Sequence, residues 1–337
     1  MALAARRRQA LDVSQEALTL SAPFTITGYT FTEVAVVVAR LLDGDIAGEG
    51  EAAGVYYLGD DAAHMLAAIE SVRADIEAGA DREELGRLLP PGGARNALDC
   101  AAWDLEAKRA RRPVWSLAGL EHPHPLTTTF TISADEPGVM ADKAIHYAQA
   151  RALKLKLTGQ PVLDAERVRA VRKARPDVWL GVDANQGFVP DSLEALMPAL
   201  VAARVKLLEQ PFKRGREADL EGLRISIPVA ADESVLCLTD IEGLVGRFDV
   251  VNIKLDKCGG LTEGLAMAAE ARRLDLGVMV GNMVGTSLAM APAYVLGQLC
   301  DFVDLDGTLF ITRDRTPSIV FENGRASYPD RGWGSPA

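Results

Sequence analysis

Three carboxylates and three lysines recur along this sequence at the interval of one structural unit, a set able to hold a cation and move protons. Lys154 and Lys156 close one short apolar run, Asp183 the next and Glu209 the one after, followed by Asp232 and Lys254. From Lys156 the intervals are 27, 26, 23 and 22 residues. Each matches a strand plus a helix, so all these side chains are expected at the C-terminal mouth of a parallel barrel, where active sites of that fold lie. Residues two apart in a strand share a face, which sends Lys154 and Lys156 inward and turns Leu153, Leu155 and Leu157 outward onto helices.

A lone aspartate at a strand end commonly caps the following helix. Three carboxylates in one recess repel one another, and some would protonate unless a cation sat between them. Oxygen-only ligation points to Mg²⁺, with Mn²⁺ as a substitute, rather than to Zn²⁺. The four histidines, His64, His122, His124 and His146, all precede the second apolar run. Acid–base work therefore falls to lysine, with a pKa brought toward neutrality by desolvation and a nearby dication.

Eight short apolar runs must position these groups: Thr127–Ile132, Leu153–Leu157, Trp179–Asp183, Val205–Glu209, Val229–Asp232, Val250–Lys254, Val278–Gly281 and Phe302–Asp304. Helical stretches such as Ala165–Ala174, Leu193–Ala203 and Thr262–Leu274 lie between them. This alternation predicts a (β/α) barrel over 122–312. An open doubly wound sheet lacks support because no glycine-rich phosphate turn follows the first strand. Residues 1–121 read as an α+β domain, with a strand pair over Phe24–Leu41, helices over Ala62–Ala78 and Glu83–Leu88, and a long helix over Gly93–Ala110. Residues 313–337 carry Ile319, Val320 and Phe321 before Asn323-Gly324, a strand and turn returning toward the first domain.

The 337 residues carry a formal charge of -11, a field that repels a phosphate backbone and argues against nucleic-acid binding. Cys100, Cys237, Cys258 and Cys300 are dispersed, without a CxxC pair, and read as buried or half-buried thiols of a reducing compartment. Despite Arg6, Arg7 and Arg8, the N-terminal stretch has no apolar segment of signal-peptide length, and no run is long enough to span a membrane. The expectation is a cytoplasmic protein.

The runs KLKLTG (154–159), VDAN (182–185), EQP (209–211), ADES (231–234) and NIKLDKCGG (252–260) resemble the muconate-lactonizing subgroup of the enolase superfamily, whose sites pair Lys or His bases with Mg²⁺. ARNALDCAAWDLEAK (94–108) is similar to the helix joining that family's capping domain, here 1–121, to its barrel. The resemblance implies Asp183, Glu209 and Asp232 as metal ligands. It implies Lys156 and Lys254 as acid/base catalysts on opposite faces of a substrate α-carbon, and Lys154 as a holder of the substrate carboxylate. Asp304 and Asp306, in VDLDG (303–307), look like the pair with which dipeptide epimerases accept a substrate ammonium. By the same likeness PFTITGYTFTE (23–33) and GVYYLG (54–59) are specificity loops that bring Phe31 and Tyr57 to the substrate. Gly28, Tyr29, Thr30 and Phe31 stand where relatives acting on Ala-Glu carry an arginine, which implies a hydrophobic or small C-terminal residue. The alternatives on this scaffold are an N-acyl amino acid racemase, a cycloisomerase and an o-succinylbenzoate synthase. A non-catalytic carboxylate-binding protein would not need lysines on both faces. The resemblance also allows a homo-oligomer.

Overall fold

The computed structural model describes residues 7–26 and 29–336. Arg6 and Gly28, used above, fall outside them, as does the side chain of Tyr29.

Three antiparallel strands, β1 (Ala10–Ile26), β2 (Tyr29–Asp43) and β3 (Ile46–Ala52), form the first sheet in that order. The expected pair over 24–41 is thus the middle of a longer meander. β2 is buried on both faces: Val37, Ala39 and Leu41 join the core of this domain, and Val38 joins the barrel's core. That is why its sequence runs apolar instead of alternating. β3 carries Gly48 and Gly50, at which a Cβ would lie 2.2 Å from the carbonyl oxygen of Ala101 and 2.1 Å from that of Ala97. Close approach to a helix, not β-propensity, selects its residues.

That helix is α4 (Gly93–Ala110), reached through α1 (Ala62–Ser71), α2 (Arg73–Glu77) and α3 (Arg82–Leu88). The expected helix over 62–78 breaks at Val72, whose φ of -115° and ψ of 8° are not helical. α4 is buried on almost every face because it lies between two cores: Leu98 and Leu105 serve the first domain, Cys100 and Trp103 the barrel. Its polar residues are satisfied across that seam. Asp99 accepts from Thr262 N at 2.9 Å, and Arg95 pairs with Glu263 at 2.8 Å.

After α5 (Val114–Leu117) and β4 (Leu126–Thr127) come the barrel strands: β5 (Thr129–Ile132), β6 (Ala152–Lys156), β7 (Trp179–Asp183), β8 (Leu207–Glu209), β9 (Val229–Ala231), β10 (Val250–Lys254), β11 (Gly277–Gly281) and β12 (Phe302–Val303). All are parallel and neighbours in sequence order. The ring is nearly closed. Between β12 and β5 the closure uses side chains: Thr128 Oγ1 accepts from Leu305 N at 2.8 Å, and Thr131 N donates to Asp306 at 2.6 Å. Around the outside run α6 (Pro137–His146), α7 (Pro161–Ala174) and α8 (Pro190–Ala202). The four-residue α9 (Leu255–Cys258), α10 (Leu261–Arg273) and α11 (Ser287–Gly297) follow, with only short 3₁₀ turns after β8 and β9.

Inward residues along each strand form layers, as the period of two requires. Leu207, Ala230, Val250 and Met279, with Trp179 and Phe302 against them, form an apolar floor. The charged residues stand above it. The C-terminal hairpin, β13 (Val320–Glu322) and β14 (Arg325–Ser327), turns through Asn323 (φ 51°) and Gly324 (φ 70°) and pairs with β4. The chain then reaches α4, where the Trp333 indole donates to Cys100 O at 3.1 Å. Cys100 and Cys258 are buried and Cys237 and Cys300 half-buried, all as free thiols. Among the described residues no helix is long and apolar enough to cross a membrane.

Candidate active site at the barrel mouth

Lys154 and Lys156 of β6, Asp183 of β7, Glu209 of β8, Asp232 just after β9 and Lys254 of β10 all stand over the floor, each less than one-tenth exposed. Asp183, Glu209 and Asp232 each offer an oxygen within 4.8 Å of the others. Lys156 donates to Asp183 at 2.6 Å, and Lys254 to Asp232 at 2.6 Å. Lys154, one layer deeper, reaches Glu209 at 3.3 Å and pairs with Asp304 after β12. The two flanking lysines stand on the second and sixth strands of an eight-strand ring, that is, on opposite walls. The carboxylates come from the third, fourth and fifth strands, between them. Asp304 and Asp306 follow the eighth strand, across the ring from Glu209.

The backbone around the carboxylates is held in uncommon conformations. Asn185 and Gln186, after Asp183, and Gln210, after Glu209, have φ of 42°, 64° and 37°, the left-handed region that non-glycine residues seldom adopt. Gln210 uses the bend to clamp the next loop: its Oε1 accepts from Asp232 N at 2.9 Å and from Ser234 N at 3.1 Å.

Electrostatics divides the acids. Burial pushes Glu209 up to about 7, with the charge of Asp183 adding and Lys154 opposing. Burial works against Asp232 too, yet the Lys254 and Lys257 ammonium groups hold it well below the usual carboxylate range. Burial, with Asp232 beside it, lifts Glu233 to about 8, and burial beside Asp304 lifts Asp306 to about 7. Among the protein groups alone, Lys254 and Lys154 do not show the lowered pKa expected from their sequence setting. Burial lowers Lys254, but Asp232, Glu209 and the other acids outweigh it and raise the amine well above its ordinary value. Lys154 is raised for the same reason, chiefly by Asp304 against burial.

The donor set fits a hard dication: all ligating atoms are oxygens, and the residues beside them carry buried polar atoms without protein partners. These are Asn185 Oδ1, Glu233 Oε2 and Asn252 Oδ1.

Above the carboxylates a cavity of about 240 Å³ is roofed by the first domain, through Phe31, Glu33, Tyr56, Tyr57, Asp60 and Asp61. Lys154, Lys156, Lys254, Asp232, Asp304 and Asp306 line its barrel side. Phe31, Tyr56 and Tyr57 meet edge to face, with ring centroids 5.2 Å apart in each pair. The loop bearing the tyrosines is tied to the barrel by Asp256, which accepts from Ala53 N at 2.8 Å and Gly54 N at 3.0 Å. The structure thus brings Lys154, Lys156, Asp183, Glu209, Asp232, Lys254, Asp304, Asp306, Phe31 and Tyr57 to one cavity or its immediate wall.

Sequence reasoning passed over Asn252, Glu233, Asp256 and Lys257. Asn252 donates to Glu209 at 2.7 Å. It shares an inward face with Lys254 by the same two-residue rule that found Lys154, so its signal was present. Lys257 and Asp256 sit in a turn after β10, where strand alternation does not speak.

An eight-strand parallel barrel with three carboxylates at its mouth and an α+β roof defines a class of metal-dependent barrel enzymes. Residues 139–335 match the enolase C-terminal domain-like model, and residues 9–119 match the N-terminal domain of mandelate racemase / muconate lactonizing enzyme. The chain belongs to the enolase superfamily and is an isomerase. It is 40% identical to the L-Ala-D/L-Glu epimerase of Escherichia coli over 93% of this chain and 98% of that one. An enolase family member from Agrobacterium tumefaciens with homology to dipeptide epimerases, with bound sodium and L-Ala-L-Glu, superposes with a TM-score of 0.92 at 40% identity, covering 96% of this chain and 98% of that one. A dipeptide epimerase from Methylococcus capsulatus complexed with Mg and L-Arg-D-Lys superposes with a TM-score of 0.90 at 29% identity, covering 97% and 99%.

Proposed function

We propose that the chain is a Mg²⁺-dependent dipeptide epimerase that inverts the α-carbon of the C-terminal residue by proton transfer between two lysines. The observation that carries this reading is the placement of Lys156 and Lys254 on opposite walls of one cavity, on either side of the carboxylate trio. One lysine removes the α-proton from one face of the carbon, and the other returns a proton to the opposite face. Asp183, Glu209 and Asp232 hold the cation, with Mn²⁺ able to replace Mg²⁺. When bound, the dication would hold the substrate carboxylate and stabilise the charge that develops as the α-proton leaves. Lys154, between the trio and Asp304, holds the other side of that carboxylate.

Charge supports a dipeptide over an N-acyl amino acid. The buried site opposes Lys154, Lys156, Lys254 and Lys257 to Asp183, Glu209, Asp232, Glu233, Asp304 and Asp306. With the proton-accepting lysine neutral and the other groups ionised, three cations face six carboxylates and a dication still leaves one negative charge. A zwitterion then adds no charge, whereas an N-acyl amino acid adds a further negative one. Asp304 and Asp306, across the ring from the trio, receive the ammonium.

Phe31 and Tyr57 face the C-terminal side chain. Beside them the charged residues described in the roof lining are Glu33, Asp60 and Asp61, with no lysine or arginine, and His64 meets Asp60 at 2.9 Å. That disfavours a glutamate and favours an apolar side chain. The test is α-deuterium exchange in D₂O, read by NMR, over a dipeptide library with Mg²⁺. Exchange at the C-terminal residue, faster for Ala-Leu and Ala-Phe than for Ala-Glu, is expected. A preference for Ala-Glu would overturn the side-chain assignment, and exchange confined to N-acyl amino acids would overturn the dipeptide reading.

A further inference from the structure

Lys257 is a fourth buried lysine at this site, and its chemistry differs from that of the other three. It is 3% exposed and is absent from the cavity lining. Its ammonium has three donors, and the structure supplies three acceptors: Asp232 Oδ1 at 2.6 Å, Asp232 O at 2.6 Å and Asn252 O at 3.1 Å. A lysine so saturated neither takes a proton from a substrate nor binds one. Burying it is costly, and its partners must explain why it is there.

The strand register explains which job is open. β9 and β10 pair Ala230 with Val250 and Ala231 with Val251, and the ladder stops there. The next pair in that register is Asp232 with Asn252, each next to or within the constellation that holds the cation and the base. Among the described residues the strand pairing does not extend to it. Lys257, folding back from the short helix after β10, bridges the carbonyl oxygens of those two residues and takes one oxygen of the Asp232 carboxylate. The other oxygen, Oδ2, is the one that Lys254 meets at 2.6 Å.

We propose that Lys257 is a positioning residue. It replaces the missing last rung between the fifth and sixth barrel strands and occupies Asp232 Oδ1. Asp232 then presents Oδ2 alone to the cation and to Lys254. This rests on the reading of Lys254 as one of two proton-transfer bases. It assigns Lys257 two effects: a set affinity for the cation, and a fixed stance of Lys254 that matters for one face of the α-carbon only.

The test uses the full chain carrying Lys257→Met or Lys257→Gln, the second of which keeps a donor. Mg²⁺ affinity is measured by calorimetry without substrate. At saturating Mg²⁺, α-deuterium exchange is then followed separately for L-Ala-L-Leu and L-Ala-D-Leu. Lys254→Ala shows independently which epimer meets Lys254, because exchange of the other persists through Lys156. The expected result is a tenfold or greater rise in the Mg²⁺ dissociation constant, with exchange of the Lys254-facing epimer slowed at least tenfold more than that of its partner. Unchanged cation affinity, or equal slowing of both epimers, overturns the assignment. So does failure of both variants to fold at saturating Mg²⁺, which would make Lys257 a pillar of the fold. If the wild-type chain exchanges neither dipeptide, the epimerase reading fails by itself. The cation titration then decides Lys257: a tenfold weaker site supports it and an unchanged one refutes it.

Discussion

The two walls of the cavity are built on different terms. On the barrel wall each singled-out charged residue meets a protein partner at hydrogen-bond or ion-pair distance: Lys156 with Asp183, Lys254 and Lys257 with Asp232, and Lys154 with Glu209 and Asp304. The wall from the first domain is a cluster of aromatic rings with acidic side chains beside it: Phe31 stands in β2, and Tyr56 and Tyr57 hang on a loop that two backbone bonds to Asp256 tie down. On the proposed function, the difference separates reaction from selection. Interlocked charges on rigid strands fix where a proton can go, and a roof of rings can change its choice of side chain without disturbing that geometry.

The sharpest way to break the comparison is to remove a charge from the barrel wall. Lys254→Ala is expected to lower turnover by roughly 10³-fold, within the range for a lost general acid–base. Mg²⁺ binding, measured by calorimetry, should persist because the trio is intact. Loss of binding together with turnover would mean that the lysine belongs to the metal site and not to the proton path. Asp306→Asn is expected to cost less, about 10²-fold in kcat/KM for dipeptides, since Asp304 remains to meet the ammonium. A variant that kept full activity on dipeptides would remove the ammonium from the argument.

The same wall sets a pH dependence with a definite sign. Glu209, Glu233 and Asp306 give up their protons at about 7, 8 and 7, against 4.5, 4.5 and 3.8 for free side chains. Between about pH 4 and pH 8 the folded chain therefore holds protons that the unfolded chain has lost, and stability falls as pH rises through that window. Asp232 runs the other way: its pKa is lowered, so its contribution is present above about pH 4 and is lost only below it. A dication competes with the retained protons. Mg²⁺ is therefore expected to raise the melting temperature more at pH 8 than at pH 5.5, by roughly 1–2 °C for each kcal/mol gained in a chain of this size. Equal shifts at both pH values would separate the cation from these carboxylates.

How much of this was legible depended on which rule governs each residue. The trio and the lysines could be read because a strand end recurs once per unit and a strand has a period of two. That period also pointed to Asn252, two residues before Lys254. Lys257 escaped because it acts from a turn, where position comes from a backbone that folds back and not from alternation. In the first domain β2 was legible as an apolar run, whereas β3 was not. Gly48 and Gly50 weaken its strand signal and are there so that α4 can approach within 2.2 Å of where a Cβ would stand. The break at Val72 carried no glycine or proline to announce it. The sequence reading put Phe31 in a loop, whereas it stands in β2, and its edge-to-face contact with Tyr56 joins residues 25 apart and is set by tertiary packing.

The roof offers the finest test, because there the comparison can be sharpened without harming catalysis. Phe31 lines the cavity beside Glu33, and among the described residues no lysine or arginine of the roof lines the cavity with it. Phe31→Arg would place a guanidinium where a glutamate side chain could pair with it, at the cost of the ring's contact with Tyr56. The ratio of kcat/KM for Ala-Glu over Ala-Leu is expected to rise about tenfold, which corresponds to roughly 1.4 kcal/mol. The rate of exchange for small substrates such as Ala-Ala should change little, since Lys156 and Lys254 stand on the other wall. A variant that lost Ala-Ala exchange as well would show that the roof ring helps to assemble the reacting geometry, and the division between the two walls would not hold.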